Sequence, residues 1–132
     1  MKITFFYVIT FLLLFNVVTN AQSNPVLQNL RKLYQEQGVG KAKKTIFYNK
    51  IENTIDIDGT TISLNNIHLS YEFEDGKHWI KFRCSKTNNC IVLQTDDENT
   101  VNLGVDFNFK TKSACYKFID LIGTLKSQNQ TD

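Results

Sequence analysis

The segment around Asp75-Gly76 constrains this chain more than any other feature of it. With that dipeptide as a two-residue loop, Glu74 falls opposite Lys77, Phe73 opposite His78, Glu72 opposite Trp79 and Tyr71 opposite Ile80. Ser70 then meets Lys81, Leu69 meets Phe82, His68 meets Arg83 and Ile67 meets Cys84. Asp-Gly tolerates the positive φ that a type I′ hairpin turn requires. Every mainly apolar pair lands on one face and the charged pairs on the other. A slip of one residue would turn the whole apolar set toward water, so the pattern specifies the register as well as the strands.

The rest of the chain can be read outward from that hairpin. Asp58-Gly59 supports a second one between Asn53–Ile57 and Thr60–Leu64, with Ile57 opposite Thr60 and Ile55 opposite Ile62. Thr45–Ile51 reads as the strand before it. After a polar loop over Ser85–Asn89, Cys90–Thr95 reads as a strand returning beside the long hairpin, with Cys84 opposite Cys90, Phe82 beside Val92 and Trp79 opposite Thr95. Cys84 and Cys90 then form a disulfide or remain two buried thiols; directly opposed strand residues lie slightly beyond ideal disulfide spacing. Leu103, Val105, Phe107 and Phe109 alternate with polar residues as far as Lys110, the pattern of a half-buried strand.

Helices are expected at both ends of these strands. Asn24-Pro25 can open one, with Val26, Leu27, Leu30, Leu33 and Tyr34 at helical spacing and Gly38 as its C′ residue. Thr111 or Ser113 can cap a second, whose apolar stripe is Cys115, Phe118, Ile119, Ile122 and Leu125, weakened at Gly123 and ending in a polar, frayed tail after Lys126. The fold class is therefore α+β: about seven antiparallel strands in a sheet or partly open barrel, between an N-terminal and a C-terminal helix.

Before these elements, Met1-Lys2, the apolar run Phe5–Phe15 and the small residues at Thr19 and Ala21 read as a secretory signal peptide cleaved after Ala21. Polar Asn16, Thr19 and Asn20 end the run short of the roughly 20 apolar residues a spanning helix needs. No later segment could cross a bilayer as a helix. The expected organisation is residues 1–21 as leader, 22–44 as helix and basic linker, 45–126 as the strand domain with its closing helix, and 127–132 as tail. Export places the protein in the periplasm or outside the cell, where a disulfide is favoured. The chain has 132 residues with 15 basic and 13 acidic side chains, so no charge excess points to nucleic acid.

Seven strands closed by a final helix resemble the pleckstrin-homology-like barrel, most plainly from Leu103–Phe109 into Ser113–Leu125. That resemblance implies a platform for lipid headgroups, peptides or proteins rather than catalysis. The join between the first two strands holds Lys50, Glu52 and Asn53 instead of massed basic residues, so phosphoinositide binding is not expected. The Asn-Ala-Gln end of the leader and the Lys/Asn/Ile-rich body look like small envelope proteins of low-GC Gram-negative bacteria.

Recognised catalytic and metal motifs are missing, and no cofactor is implied. Gly38–Lys44 lacks the spacing of a phosphate-binding loop, and Asp96-Asp97-Glu98-Asn99 lacks the layout of a calcium loop. His68 falls on the wet face and His78 on the apolar face. Cys115 reads as structural unless an adjacent base depresses its pKa. The surface singled out is the outer face carrying Trp79, Lys81, Arg83, Ile91 and Leu93. Either the N-terminal helix lays Leu27, Leu30 and Tyr34 over it, or it is a site for an unknown protein or peptide partner with Trp79 as anchor and the basic residues as rim. Two functions remain: an exported non-catalytic binding module, or a small secreted enzyme built around Cys115, His78 or the Asp96–Glu98 loop.

Overall fold

The computed structural model describes residues 24–40, 44–85, 90–94 and 99–130. The leader, residues 41–43 of the linker, the loop over 86–89, the acidic residues 96–98 and Thr131 of the glycosylation sequon Asn129-Gln130-Thr131 lie outside them. The first element is helix α1, Pro25–Gln37. Asn24 caps it in extended backbone, its Oδ1 accepting from the amides of Val26 at 3.1 Å and Leu27 at 3.4 Å. Gly38 ends it for a reason other than left-handed φ, since its backbone is extended. A Cβ there would lie 2.6 Å from the Tyr34 carbonyl oxygen and 2.7 Å from its ring. Only glycine lets the chain leave the helix so close to Tyr34.

Eight antiparallel strands follow: β1 Ile46–Asn49, β2 Thr54–Ile57, β3 Thr60–Ser63, β4 Ile67–Glu74, β5 Lys77–Cys84, β6 Ile91–Gln94, β7 Asn99–Asn102 and β8 Gly104–Phe109. They form two open sheets, one of five strands in the order β1-β2-β3-β6-β7 and one of three in the order β4-β5-β8. Both Asp-Gly hairpins have the register expected of them, Ile57 facing Thr60 and Tyr71 facing Ile80. Asp58 and Gly59 carry φ of 52° and 86°, and Asp75 and Gly76 carry 53° and 72°, so each turn is positive at both central residues.

The return strand departs from expectation. β6 pairs with β3, setting Ile91 opposite Ile62 and Leu93 opposite Thr60, and does not lie beside β5. The second neighbour of β5 is β8, with Phe82 opposite Val105, Ile80 opposite Phe107 and Trp79 opposite Asn108. Packing explains the exchange. Strand β8 brings Val105, Phe107 and Phe109 against the inner face of β5, whereas Ile91 of β6 completes a buried set with Ile55 and Ile62. Strand β7, unexpected from the sequence, pairs with β6, and Leu103 is 54% exposed instead of inward.

Helix α2, Lys112–Gln130, closes the inner side and runs further than the expected stop at Lys126. Thr111 Oγ1 accepts from the Ala114 amide at 3.0 Å as its N-terminal cap. Cys115, Phe118, Ile122 and Leu125 are buried and Ile119 is half-buried, the stripe the spacing predicts. Leu30, Leu33 and Tyr34 of α1 meet the same core, and the two helices pack together. Tyr34 lies 5.9 Å from Phe109 and 6.2 Å from Phe118 between ring centroids. Helix α2 therefore covers the inner face of the three-stranded sheet, while α1 packs on α2 and β1, reaches β8 through Tyr34 and does not lie over the outer, Trp79 face. Among the described residues, no helix is long and apolar enough to cross a membrane.

Candidate functional site

The alternation of β5 sends Lys77, Trp79, Lys81 and Arg83 outward together, and pairing with β8 adds Asp106 and Asn108 to that face. Charge pairing organises most of it. Lys81 Nζ lies 2.8 Å from Glu72 and 3.4 Å from Glu74, and the Glu72 hydrogen bond, followed by attraction to both carboxylates, raises its pKa. Arg83 Nη1 donates to Asp106 Oδ1 at 2.6 Å. Arg83 also packs against Gly104, where a Cβ would stand 2.8 Å from its side chain.

Trp79 is half-buried at one end of this face, where the β8 edge of the smaller sheet approaches the β2–β3 turn and β6 of the larger one. Between them is an open cleft of about 450 Å³. The cleft runs past the β8 edge, so Trp79 and Asn108 line it from the outer face of the smaller sheet, Val105 and Phe107 from the inner face, and Leu93, Ile57, Thr60 and Asp58 from the larger sheet. Tyr34 lines it from α1, and Val39 and Gly40 from the segment that follows. That segment is fixed to the strand edge: Gly38 bridges Phe109, and the Val39 amide donates to the Asn108 carbonyl at 2.9 Å.

Asp58 holds the wall of the larger sheet in place. One carboxylate oxygen accepts from the Thr45 amide at 2.8 Å, and the other accepts a short hydrogen bond from the Tyr34 hydroxyl. Burial, then the hydrogen bond and negative charge of Asp58, push the Tyr34 phenol well above its ordinary pKa. It remains a neutral donor throughout the physiological range. Asp56, two residues earlier, accepts from the Gly59 amide and the Thr61 hydroxyl and so fixes the turn that presents Asp58.

The five residues expected on one surface separate into three groups. Trp79 and Leu93 meet in the cleft, although by facing each other from different sheets and not by lying side by side in one. Lys81 and Arg83 share the outer face with Trp79 but are engaged with carboxylates. Ile91 is fully buried in the core, because pairing with β3 turns it inward. Tyr34, Asp58 and Phe107 also line the cleft, although the sequence pattern does not mark them as site residues. No local pattern could place Tyr34 beside Asp58, 24 residues away.

Cys84 and Cys90 are joined in a disulfide that ties the end of β5 to the start of β6, and therefore one sheet to the other. Cys115 is fully buried, and burial pushes its thiol up to about 11, opposite to the depressed pKa of a nucleophilic thiolate. His78 Nδ1 lies 2.9 Å from the Tyr71 hydroxyl, and its ring packs 5.0 Å from that of Phe73. Among the described residues, no group of three metal-ligating side chains converges. In comparison with known proteins, no family model matches the chain, and neither a curated protein nor a solved structure is significantly similar to it.

Proposed function

We propose that this chain is an exported, non-catalytic binding module whose ligand occupies the cleft between Trp79 and Leu93. One observation carries the reading: Trp79, Phe107, Tyr34 and Leu93 converge from both sheets and α1 on a single concave, largely apolar space of about 450 Å³, rimmed by a few polar groups. Ligand sites for small molecules have this size and composition, with apolar walls supplying affinity and few polar groups supplying orientation. The module function implied by the barrel resemblance is kept, while the partner is a small molecule in a cleft instead of a protein on an open face. Export is supported by the leader pattern together with the Cys84–Cys90 bond, which persists in oxidising compartments.

Trp79 is the only tryptophan in the sequence, so its emission reports on the cleft alone. The neutral apolar fluorophore N-phenyl-1-naphthylamine should quench it saturably, with energy transfer to the dye. Leu93→Asp should weaken that binding about tenfold or more, because it places a charge in the apolar wall. An unchanged Trp79 signal across the titration would reject the cleft as a ligand site. Sequencing the exported protein from its N-terminus checks the other half of the reading, with Gln22 as the expected first residue.

A further inference from the structure

Resting on the cleft as a ligand site, we infer that its ligand is a free small amphiphile with an apolar body and a single carboxylate, which Lys77 receives. Among the described residues, three charged side chains line the cleft: Asp58, Asp106 and Lys77. Asp58 keeps its negative charge, but both its oxygens are engaged within the protein, one by the Tyr34 hydroxyl and one by the Thr45 amide, so neither is turned to a ligand cation. Asp106 is neutralised by Arg83 at 2.6 Å. The carboxylates that Lys77 would otherwise attract have gone elsewhere. Glu74 faces it across the hairpin register but lies 3.4 Å from Lys81, and Glu72 also pairs with Lys81, at 2.8 Å.

Lys77 is therefore the one charged group lining the cleft with no ion-pair or hydrogen-bond partner among the described residues, and it is exposed at the start of β5. Two positions along, on the same face, Trp79 offers an aromatic wall, so a ligand can place its apolar part against Trp79, Phe107 and Leu93 while its headgroup meets the ammonium. One cation matches one negative charge. A multiply charged headgroup, such as a phosphate, would find no second free cation lining this cleft among the described residues.

The test titrates the purified protein with decanoate, 1-decanol and decylammonium below their aggregation concentrations, reading Trp79 emission. Decanoate is expected to bind about tenfold tighter than the other two, since one charged contact at a half-open site contributes on that order. Lys77→Gln should bring decanoate to within about threefold of decanol, and Lys77→Glu should reverse the preference toward decylammonium. Lys112→Gln, an exposed lysine on α2, should change nothing. Because Lys77 is exposed, its variants should fold, and an unaltered far-ultraviolet dichroism spectrum verifies this. Equal binding of the three probes, preference for decylammonium in the unmodified protein, or an unaffected Lys77→Gln would overturn the carboxylate inference and leave the cleft standing. No saturable signal with any probe would overturn both. Vesicles of phosphatidylglycerol should leave Trp79 emission unchanged; a shift with vesicles but not with free decanoate would reassign the site to a membrane lipid and also overturn the inference.

Discussion

Asp58 shows how a turn residue acquires a second task. Its positive φ suits the hairpin, and the same conformation presents its carboxylate to the Tyr34 hydroxyl and the Thr45 amide, tying α1, β1 and the turn together. Tyr34→Phe removes the donor and leaves the carboxylate short of a partner, so unfolding free energy should fall by roughly 1.5–3 kcal/mol, measured by urea denaturation at neutral pH. Cys115 makes the complementary case for a buried titratable group. Its native pKa, about 11, lies above the ordinary value of 9.0, so the unfolded chain loses that proton first as pH rises. The stability it contributes is complete below pH 9 and declines between about 9 and 11. Cys115→Ala should lower stability at neutral pH through lost packing yet flatten the alkaline limb, which a series of denaturation midpoints from pH 8 to 11 would reveal. A limb of unchanged slope would assign the alkaline loss elsewhere.

Among the elements, those legible in the sequence are those whose information is local. The capped helix from Pro25, both Asp-Gly hairpins and the stripe from Cys115 to Leu125 each depend on residues within one segment, and each appears as expected. Strand partition was not legible, because Ile91 can meet either β3 or β5 without violating its own alternation. The decision rests on which distant strand buries more, and β8 gives β5 the better inner face. The candidate site inherited this division: Trp79 and Leu93 were identifiable as apolar residues needing an explanation, while their meeting across two sheets was not. Gly38 carries a constraint that its own segment hides, since the atoms a side chain would strike belong to Tyr34. Gly38→Ala should cost about 1–3 kcal/mol, as overpacking does, and should displace Tyr34 enough to weaken cleft binding. Gly123→Ala, with open space around its Cβ and helical backbone, should spare the Tyr34 ring and separate the two effects.

At the scale of the whole molecule, two sheets are tied at one end by Cys84–Cys90 and face each other across a cleft toward the other. Reducing that bond should lower stability by about 2 kcal/mol on loop-entropy grounds, seen as a lower urea midpoint in dithiothreitol, and should weaken ligand binding by relaxing the sheets' spacing. Deleting α1 should abolish cooperative unfolding altogether, because Leu30, Leu33 and Tyr34 leave the core with it. The packing of α1 on α2 has a consequence for synthesis as well. The first described helix finds its partner in the last, so a nascent chain has no means of completing its interior until the residues of α2 have been made. Such a chain stays open to threading and to protease while α2 is unmade, and it becomes resistant only when that helix emerges and docks.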